Sequence, residues 1–550
     1  MVGRAFRRKL LAGVAALACA GVSLTGSAGW AVAGQAAAAP VAPNAHGELD
    51  CNGLSPIQAP VKPAVMCKDP QGSDEGRLYD NGHYIGHDEP SVRFVSAQPG
   101  SGSDVTFTEQ LPVDPAAAPT VSNPGHDVTH WFELSVAPWM SMTVCDPNSA
   151  PLTPCTPESD SNAPTANYPG AGAAFVELQF YPPGFAPFLD SVSCDNTHWC
   201  SALNIDSLEC TGNGSGSCNN NCVEPVNFAF IQDNGVPAGP PSPQLSDNST
   251  FTANAHTLLM SPGDRIRIRM SDAAVHGGHA LQILETDLTT GQSGSMVASA
   301  RNGFMTTNPF DCSGTPFNFE PEYSTARAQN VLPWGIGPYM INNQFEIGHF
   351  EPCSTITGSS TFQSGAFTDT YFRRCKGAYE ATADAGTSLE PNDSPCYPAG
   401  DTHGGTTAPN LVTGCDVFFG AIGDLDFDGT SYRADWPRST VPGPFPSPFL
   451  QQQPTSSGVT YPQIQFVTDV SATELNTGCD TGSGAGCVLP PSGPGNFYPY
   501  WTQAKVGGSC VWEFGNMTNG NTFGGDAQYG TIGSRTMGAF ASPIQSNPNC

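Results

Sequence analysis

The strongest constraint on this chain is how often it is interrupted. Its 550 residues include 61 glycines and 51 prolines, roughly one position in five. Each such residue disfavours a helix interior, so long helices and coiled coils are excluded. Short runs in which apolar and polar residues alternate lie between the interruptions. They occupy residues 105–111, 129–136, 174–181, 199–208, 226–231, 265–270 and 280–288, then 416–419, 463–467 and 510–514. Period-two alternation describes a strand with one face buried and the other facing water or a ligand. Many such strands joined by Gly/Pro/Asn/Ser loops predict an all-β chain. The expected architecture is an antiparallel β-sandwich, a concanavalin-like jelly roll, with long disulfide-stapled loops and a second β-rich region.

The N-terminus reads as an export signal. Arg4, Arg7, Arg8 and Lys9 precede an Ala/Gly/Leu-rich stretch, and alanines at positions 31, 33 and 36–39 offer small-residue cleavage sites. Arg7-Arg8 followed by Leu10-Leu11 also fits a twin-arginine signal. The expected organisation is a signal peptide over residues 1–39 and a flexible leader over 40–83. A β-sandwich follows over 84–353, and a loop-rich β region carries an acidic loop over 354–550. No later segment has 18 uninterrupted apolar residues, so no membrane span is expected. Of 19 cysteines, Cys19 falls in the signal; an even number in an exported chain predicts disulfides. Close pairs suggest local staples: Cys51/Cys67, Cys145/Cys155, Cys194/Cys200 and Cys479/Cys487. A secreted, extracellular location follows from both features.

Charge removes another class. The 49 acidic residues outnumber 20 basic ones, for a net charge of −29. Such an excess repels phosphate backbones and anionic membrane surfaces, so nucleic acid is not an expected partner.

Two motifs carry chemistry. In Asp424-Leu425-Asp426-Phe427-Asp428-Gly429-Thr430, carboxylates alternate into a turn that Gly429 permits, and Asp435 follows at the twelfth position. With the Thr430 carbonyl, Asp424, Asp426, Asp428 and Asp435 form a hard-oxygen set suited to a structural Ca²⁺. Asp replaces Glu at position twelve and Trp436-Pro437 follows, so this is a calcium loop without the helices of an EF-hand. The second motif is the run 174–181. Alternation places Val176, Leu178 and Phe180 on the core face. Phe175, Glu177, Gln179 and Tyr181 then share the other face, with two aromatics bracketing a carboxylate and an amide. A carboxylate held there suits general acid–base work, with Gln179 orienting the reacting group and Phe175 and Tyr181 binding substrate.

A partial family resemblance enters over residues 174–293. Phe180-Tyr181-Pro182, the turn Met260-Ser261-Pro262-Gly263-Asp264-Arg265-Ile266, and Asp287-Leu288-Thr289-Thr290-Gly291-Gln292-Ser293 occur in that order. They resemble the β-sandwich core of the eqolisin (glutamic) peptidases. The resemblance implies a concanavalin-like sandwich and a peptidase cleft. In that family a catalytic glutamate directly precedes the aromatic-Tyr-Pro unit. Gln179 stands there in this chain, and Glu177 lies two residues earlier on the same predicted face. The nearest counterpart of the family's partner glutamine is Gln110. The chain as a whole also resembles secreted bacterial β-sandwich proteins, which implies a compartment and no function.

Other features are weaker. His276-Gly277-Gly278-His279 and the His83/His87 pair supply too few ligands for zinc. Glu346 and Glu351 flank His349, but on alternation only His349 and Glu351 share a face. Arg265, Arg267 and Arg269 form a stripe on one strand face that suits uronates, peptide carboxylates or internal acids. The aromatic clusters at 497–501 and 511–514 suit sugar stacking or core packing. No G-x-S-x-G, H-E-x-x-H or G-K-[ST] motif occurs. Three readings stay open: a carbohydrate-active hydrolase or lyase using Glu177, a glutamic-type acid peptidase on the same cleft, and a non-catalytic carbohydrate-binding or surface protein. Their partners are an extracellular polysaccharide or a peptide.

Overall fold

The alternating runs become strands. The computed structural model describes residues 87–88, 91–98, 100–111, 137–146, 174–181, 194–195, 197–207, 226–308, 310–321, 341–348, 350–352, 354–364, 367–371, 374–376, 396–400, 413–416, 450–451, 455, 458–468, 501–506, 509–514, 540–541 and 545–547. The sandwich is built from β1 (Ser91–Val95), β2 (Asp104–Gln110), β3 (Ala137–Val144), β4 (Ala174–Tyr181), β5 (Cys200–Ser207) and β6 (Val226–Phe230). Then come β7 (Arg265–Val275), β8 (Gly278–Asp287), β9 (Ser293–Val297), β10 (Ile341–Gly348), β11 (Gln463–Thr468) and β12 (Phe540–Ala541).

The strands form two antiparallel sheets. The larger runs β12-β11-β1-β10-β3-β4-β5-β6, and the smaller runs β9-β8-β7-β2. The predicted all-β antiparallel sandwich is therefore the observed architecture. Alternation decides which side chains meet between the layers. Val92 and Phe94 of β1, Met140 and Met142 of β3, Val176, Leu178 and Phe180 of β4, and Leu203 and Ile205 of β5 point inward from the large sheet. Phe107 of β2, Ile266, Ile268 and Met270 of β7, and Ile283 of β8 meet them from the small sheet, all at most 2 % exposed. Each large side chain so buried is worth about 1.5–3 kcal/mol of transfer free energy.

The large sheet takes strands from both sides of the boundary expected near Cys353. β11 pairs with β1 over Ser91↔Val467 to Val95↔Gln463. Tyr461, Ile464 and Trp512 join the same core. Phe94 meets the rings of Tyr461 and Trp512 edge-on, each with centroids 6.2 Å apart. Of the aromatic residues considered for sugar contact, Trp512 is thus a core residue.

One feature of the interior departs from an ordinary apolar core. Among the described residues, Glu109, Asp146, Asp264, Glu285, Asp287 and Glu320 are buried, against one buried cation, Arg93. Arg93 alternates with the inward-facing Val92 and Phe94, which puts it on the outer face of the large sheet. Glu285 on β8 crosses the interlayer: the Ser201 hydroxyl of β5 lies 2.8 Å from each of its carboxyl oxygens. Burial pushes the Glu285 carboxyl up to about 8, and the Ser201 hydrogen bond only partly opposes this.

The staple Cys194–Cys200 is present, with Cα atoms 5.8 Å apart. Cys145 and Cys312 are also disulfide-bonded. The predicted signal peptide, the leader and the acidic loop 424–435 lie outside the described residues. Among the described residues no helix is long and apolar enough to cross a membrane.

Candidate active site

The outer face of the large sheet gathers the polar residues that the sequence singled out. β4 pairs with β5 through Glu177↔Asn204, Gln179↔Ala202 and Tyr181↔Cys200. On its other edge Ser141↔Glu177 and Trp139↔Gln179 pair with β3. The row continues through Asn342↔Ser141 to Asn342↔Arg93. A single line of register positions therefore runs from Arg93 to Asn204 across five strands, and continues to Gln465 on β11 and Phe228 on β6.

Hydrogen bonds organise the centre of this face. Gln179 Nε2 donates to Glu177 Oε2 at 2.7 Å. Gln179 Oε1 accepts from the Tyr181 hydroxyl at 2.6 Å and from Asn204 Nδ2 at 2.7 Å. Asn204 Nδ2 also donates to the Tyr181 oxygen at 3.2 Å. Glu177 and Gln179 are half-buried, whereas Tyr181 is 8 % and Asn204 4 % exposed. The gradient runs from a closed end at Asn204 to a carboxylate reachable from solvent.

An apolar wall closes that end. Tyr181, Cys200, Ala202, Phe228 and Phe230 form a second cluster, covered by Phe251, Ala253 and Leu259 of the segment after β6. Phe228 lies 5.0 Å from Phe230 and 5.1 Å from Phe251, and 6.3 Å from Tyr181, centroid to centroid. The staple Cys194–Cys200 anchors the chain entering β5 beside Tyr181. The Tyr181 ring is thus packed into the wall, and its hydroxyl is the part that serves the polar cluster.

Glu177, Gln179 and Tyr181 are brought together as their spacing predicted. Register places Phe175 on the same face, opposite Asp206. Gln110 does not join them. It belongs to the outward-facing set of β2 in the small sheet, so the whole sandwich separates it from Glu177. Asp424, Asp426, Asp428, Thr430 and Asp435 lie outside the described residues. Among the described residues no group of three or more His, Cys, Asp or Glu gathers closely enough to hold a metal. The arginine stripe of β7 is exposed on the far face of the small sheet; Arg269 makes a forked pair with Asp104 at 2.9 Å. His279 of the glycine turn pairs with Asp272 at 2.8 Å, a local contact within the β7–β8 hairpin.

Asn204 is the site residue that sequence reading missed. Its signal was present: Ala202, Asn204 and Asp206 alternate with the apolar Leu203 and Ile205. Only the pairing of β5 with β4 makes that alternation face Glu177.

No family model and no curated protein matches this chain. Among solved structures it is similar to a Scytalido-glutamic peptidase bound to a peptide-based transition-state analogue. The match has 8 % identity, covers 52 % of this chain and 74 % of that one, and has a TM-score of 0.18. A second is SCP-B, a member of the Eqolisin family of peptidases, in complex with the tripeptide Ala-Ile-His. There the identity is 9 %, the coverage 52 % and 73 %, and the TM-score 0.16. Similarity at this level assigns neither a family nor a function.

Proposed function

We propose that this chain is an exported hydrolase that cleaves peptide bonds with Glu177 as general base and then general acid. The observation that carries the reading is the 2.7 Å contact from Gln179 Nε2 to Glu177 Oε2. An amide beside a carboxylate supplies the two functions that carbonyl hydrolysis needs. Glu177 takes a proton from water as the water oxygen bonds to the carbonyl carbon. Gln179 Nε2 has a second N–H, which can donate to the oxygen that becomes negative. The C–N bond then breaks and the proton on Glu177 passes to the leaving nitrogen. A carboxylic acid and an amine result, and Glu177 returns to its starting state. The half-burial of Glu177 supports its access to water, and the apolar wall at Tyr181 limits solvent on one side.

A second reading is favoured by one register position. Asp206 stands opposite Phe175, diagonal to Glu177 on the same face. Such diagonals span about 7–8 Å between Cα atoms, and a glycosidase needs two acidic groups flanking the scissile bond. A panel of peptides and polysaccharides, assayed from acid to neutral pH, separates the two. Under the peptidase reading, Glu177→Gln abolishes peptide cleavage and Asp206→Asn spares it. Loss of polysaccharide cleavage in both variants would instead establish the glycosidase. Turnover unchanged in Glu177→Gln on every substrate cleaved would overturn both, and no turnover by the wild type would leave the binding-protein reading.

A further inference from the structure

We propose that Asn204 and Tyr181 are positioning residues that set which way the Gln179 amide faces. The inference rests on Glu177 being the working carboxylate, and it follows from counting donors and acceptors. A side-chain amide oxygen has two lone pairs and an amide nitrogen has two hydrogens. Gln179 Oε1 accepts two hydrogen bonds, from the Tyr181 hydroxyl at 2.6 Å and from Asn204 Nδ2 at 2.7 Å. Both lone pairs are therefore used. With Asn204 in this orientation, turning the amide over would aim Gln179 Nε2 at these two donors and leave unmatched groups in a nearly closed pocket. The amide nitrogen is thereby held towards Glu177 Oε2.

Asn204 is anchored through its nitrogen: both hydrogens of Nδ2 are directed, one to Gln179 Oε1 and one to the Tyr181 oxygen at 3.2 Å, while Oδ1 is buried without a hydrogen-bond partner among the described residues. Its side chain is 4 % exposed, and the Tyr181 ring is packed against Phe228. Each acts through Gln179, to which both are hydrogen-bonded.

The consequence for Glu177 is chemical. An N–H fixed on Oε2 stabilises the carboxylate over the carboxylic acid, so the group starts the cycle able to accept a proton. If the amide were free to turn, its oxygen could accept from a protonated Glu177 equally well, and the preference would vanish. Among the described residues the other ionisable positions on this face are Asp206 diagonally across on β5, Glu346 on β10, Arg93 on β1 and His87, in register with Gly348 of β10. The proposed substitutions alter none of them.

The test needs no substrate. The full chain is labelled with ¹³C at the glutamate carboxyl, and the Glu177 resonance is assigned by its loss in Glu177→Gln. Its titration is then followed in wild type, Tyr181→Phe, Asn204→Ala and the double variant. The expected result is an upward shift of the Glu177 midpoint in each single variant and of about one pH unit in the double variant. With a cleaved peptide in hand, the acidic limb of the rate profile, on which activity rises as Glu177 loses its proton, moves up by the same amount, with KM little changed. A midpoint within about 0.2 units of wild type in the folded double variant overturns the proposal, at a precision well inside the expected unit. Should the double variant fail to fold, Tyr181→Phe, which keeps the packed ring, decides alone: an unmoved midpoint overturns it. Because the titration is read without turnover, a shift accompanied by no hydrolysis of any substrate would refute the peptidase reading and leave the positioning intact.

Discussion

The hydroxyl of Ser201 lies 2.8 Å from both carboxyl oxygens of Glu285, and this contact joins the two sheets through the interior. Its surroundings decide its protonation. Glu285 stands in register with Ile268 on β7 and Gly294 on β9. Asp287 flanks it on the same strand and face, and Glu109 points inward from β2. From the large sheet Ser201 faces it, between Trp199 and Leu203. No cation among the described residues points into this layer. A carboxyl so placed keeps its proton well above its ordinary range.

Stability should therefore fall as pH rises. The Glu285 carboxyl titrates near 4.5 when exposed and near 8 in the fold. Between these values the folded chain holds a proton that the unfolded chain has released. The stabilisation is at its full value below about pH 4.5 and is lost progressively as pH rises to about 8. The effect is on the order of a few kcal/mol. Denaturant unfolding at pH 4, 6 and 8 should show this decline, and Glu285→Gln, neutral at every pH, should flatten it. An equal decline in that variant would place its origin in other groups.

Gln179→Leu keeps the bulk of the side chain and removes both N–H groups. If the amide stabilises a developing oxyanion, kcat should fall roughly 10²–10³-fold with KM little affected. A fall in affinity alone, with kcat intact, would make Gln179 a simple binding contact.

Cutting the staple should act on the wall more than on the core. Cys194→Ser with Cys200→Ser opens a short loop, for a cost of about 2 kcal/mol. Cys200 stands opposite Tyr181 in register. Loss of protection at backbone amides of residues 199–204, with those of β8 unchanged, is the expected pattern in hydrogen exchange. Uniform loss across both sheets would show that the bond serves the whole sandwich.

The acidic loop yields an independent prediction. If the loop brings the carboxylates of 424, 426, 428 and 435 together, they repel one another unless a cation neutralises them. Chelation should lower Tm, Ca²⁺ should restore it, and Asp426→Ala should remove the response. An absence of any heat on titrating Ca²⁺ into chelated protein would identify the loop as an acidic turn.

Much of the fold was legible because a half-buried strand writes its period directly into the sequence. Alternation predicts a strand over 174–181 and β4 spans Ala174–Tyr181; β2, β5, β6, β7, β8 and β11 lie within a few residues of their predicted runs. β10 escaped because Ile341–Gly348 has polar residues at 342–344 in succession, so alternation is blurred. Pairing was not legible. Nothing local says that residues 463–468 lie beside 91–95, since register depends on what two distant faces bury together. The site divides the same way. Glu177, Gln179 and Tyr181 sit on one strand and were visible by counting in twos. Asn204 and the Ser201–Glu285 contact arise only when other strands arrive, and Gln110 shows the converse, a plausible residue on the wrong side of the sandwich.

The pairing of β1 with β11 also bears on the order of assembly. Their contacting residues are separated by 376 positions at Ser91↔Val467, so this closure is among the most entropically costly steps available to the chain. Until it forms, Ser91–Val95 presents an open backbone edge and Phe94 lacks the rings of Tyr461 and Trp512. An unprotected edge of this kind templates pairing with other chains. A chain cut short before residue 460 should therefore build most of β2 to β9 and still associate through β1, and completion of the monomer waits on the last segments to be delivered.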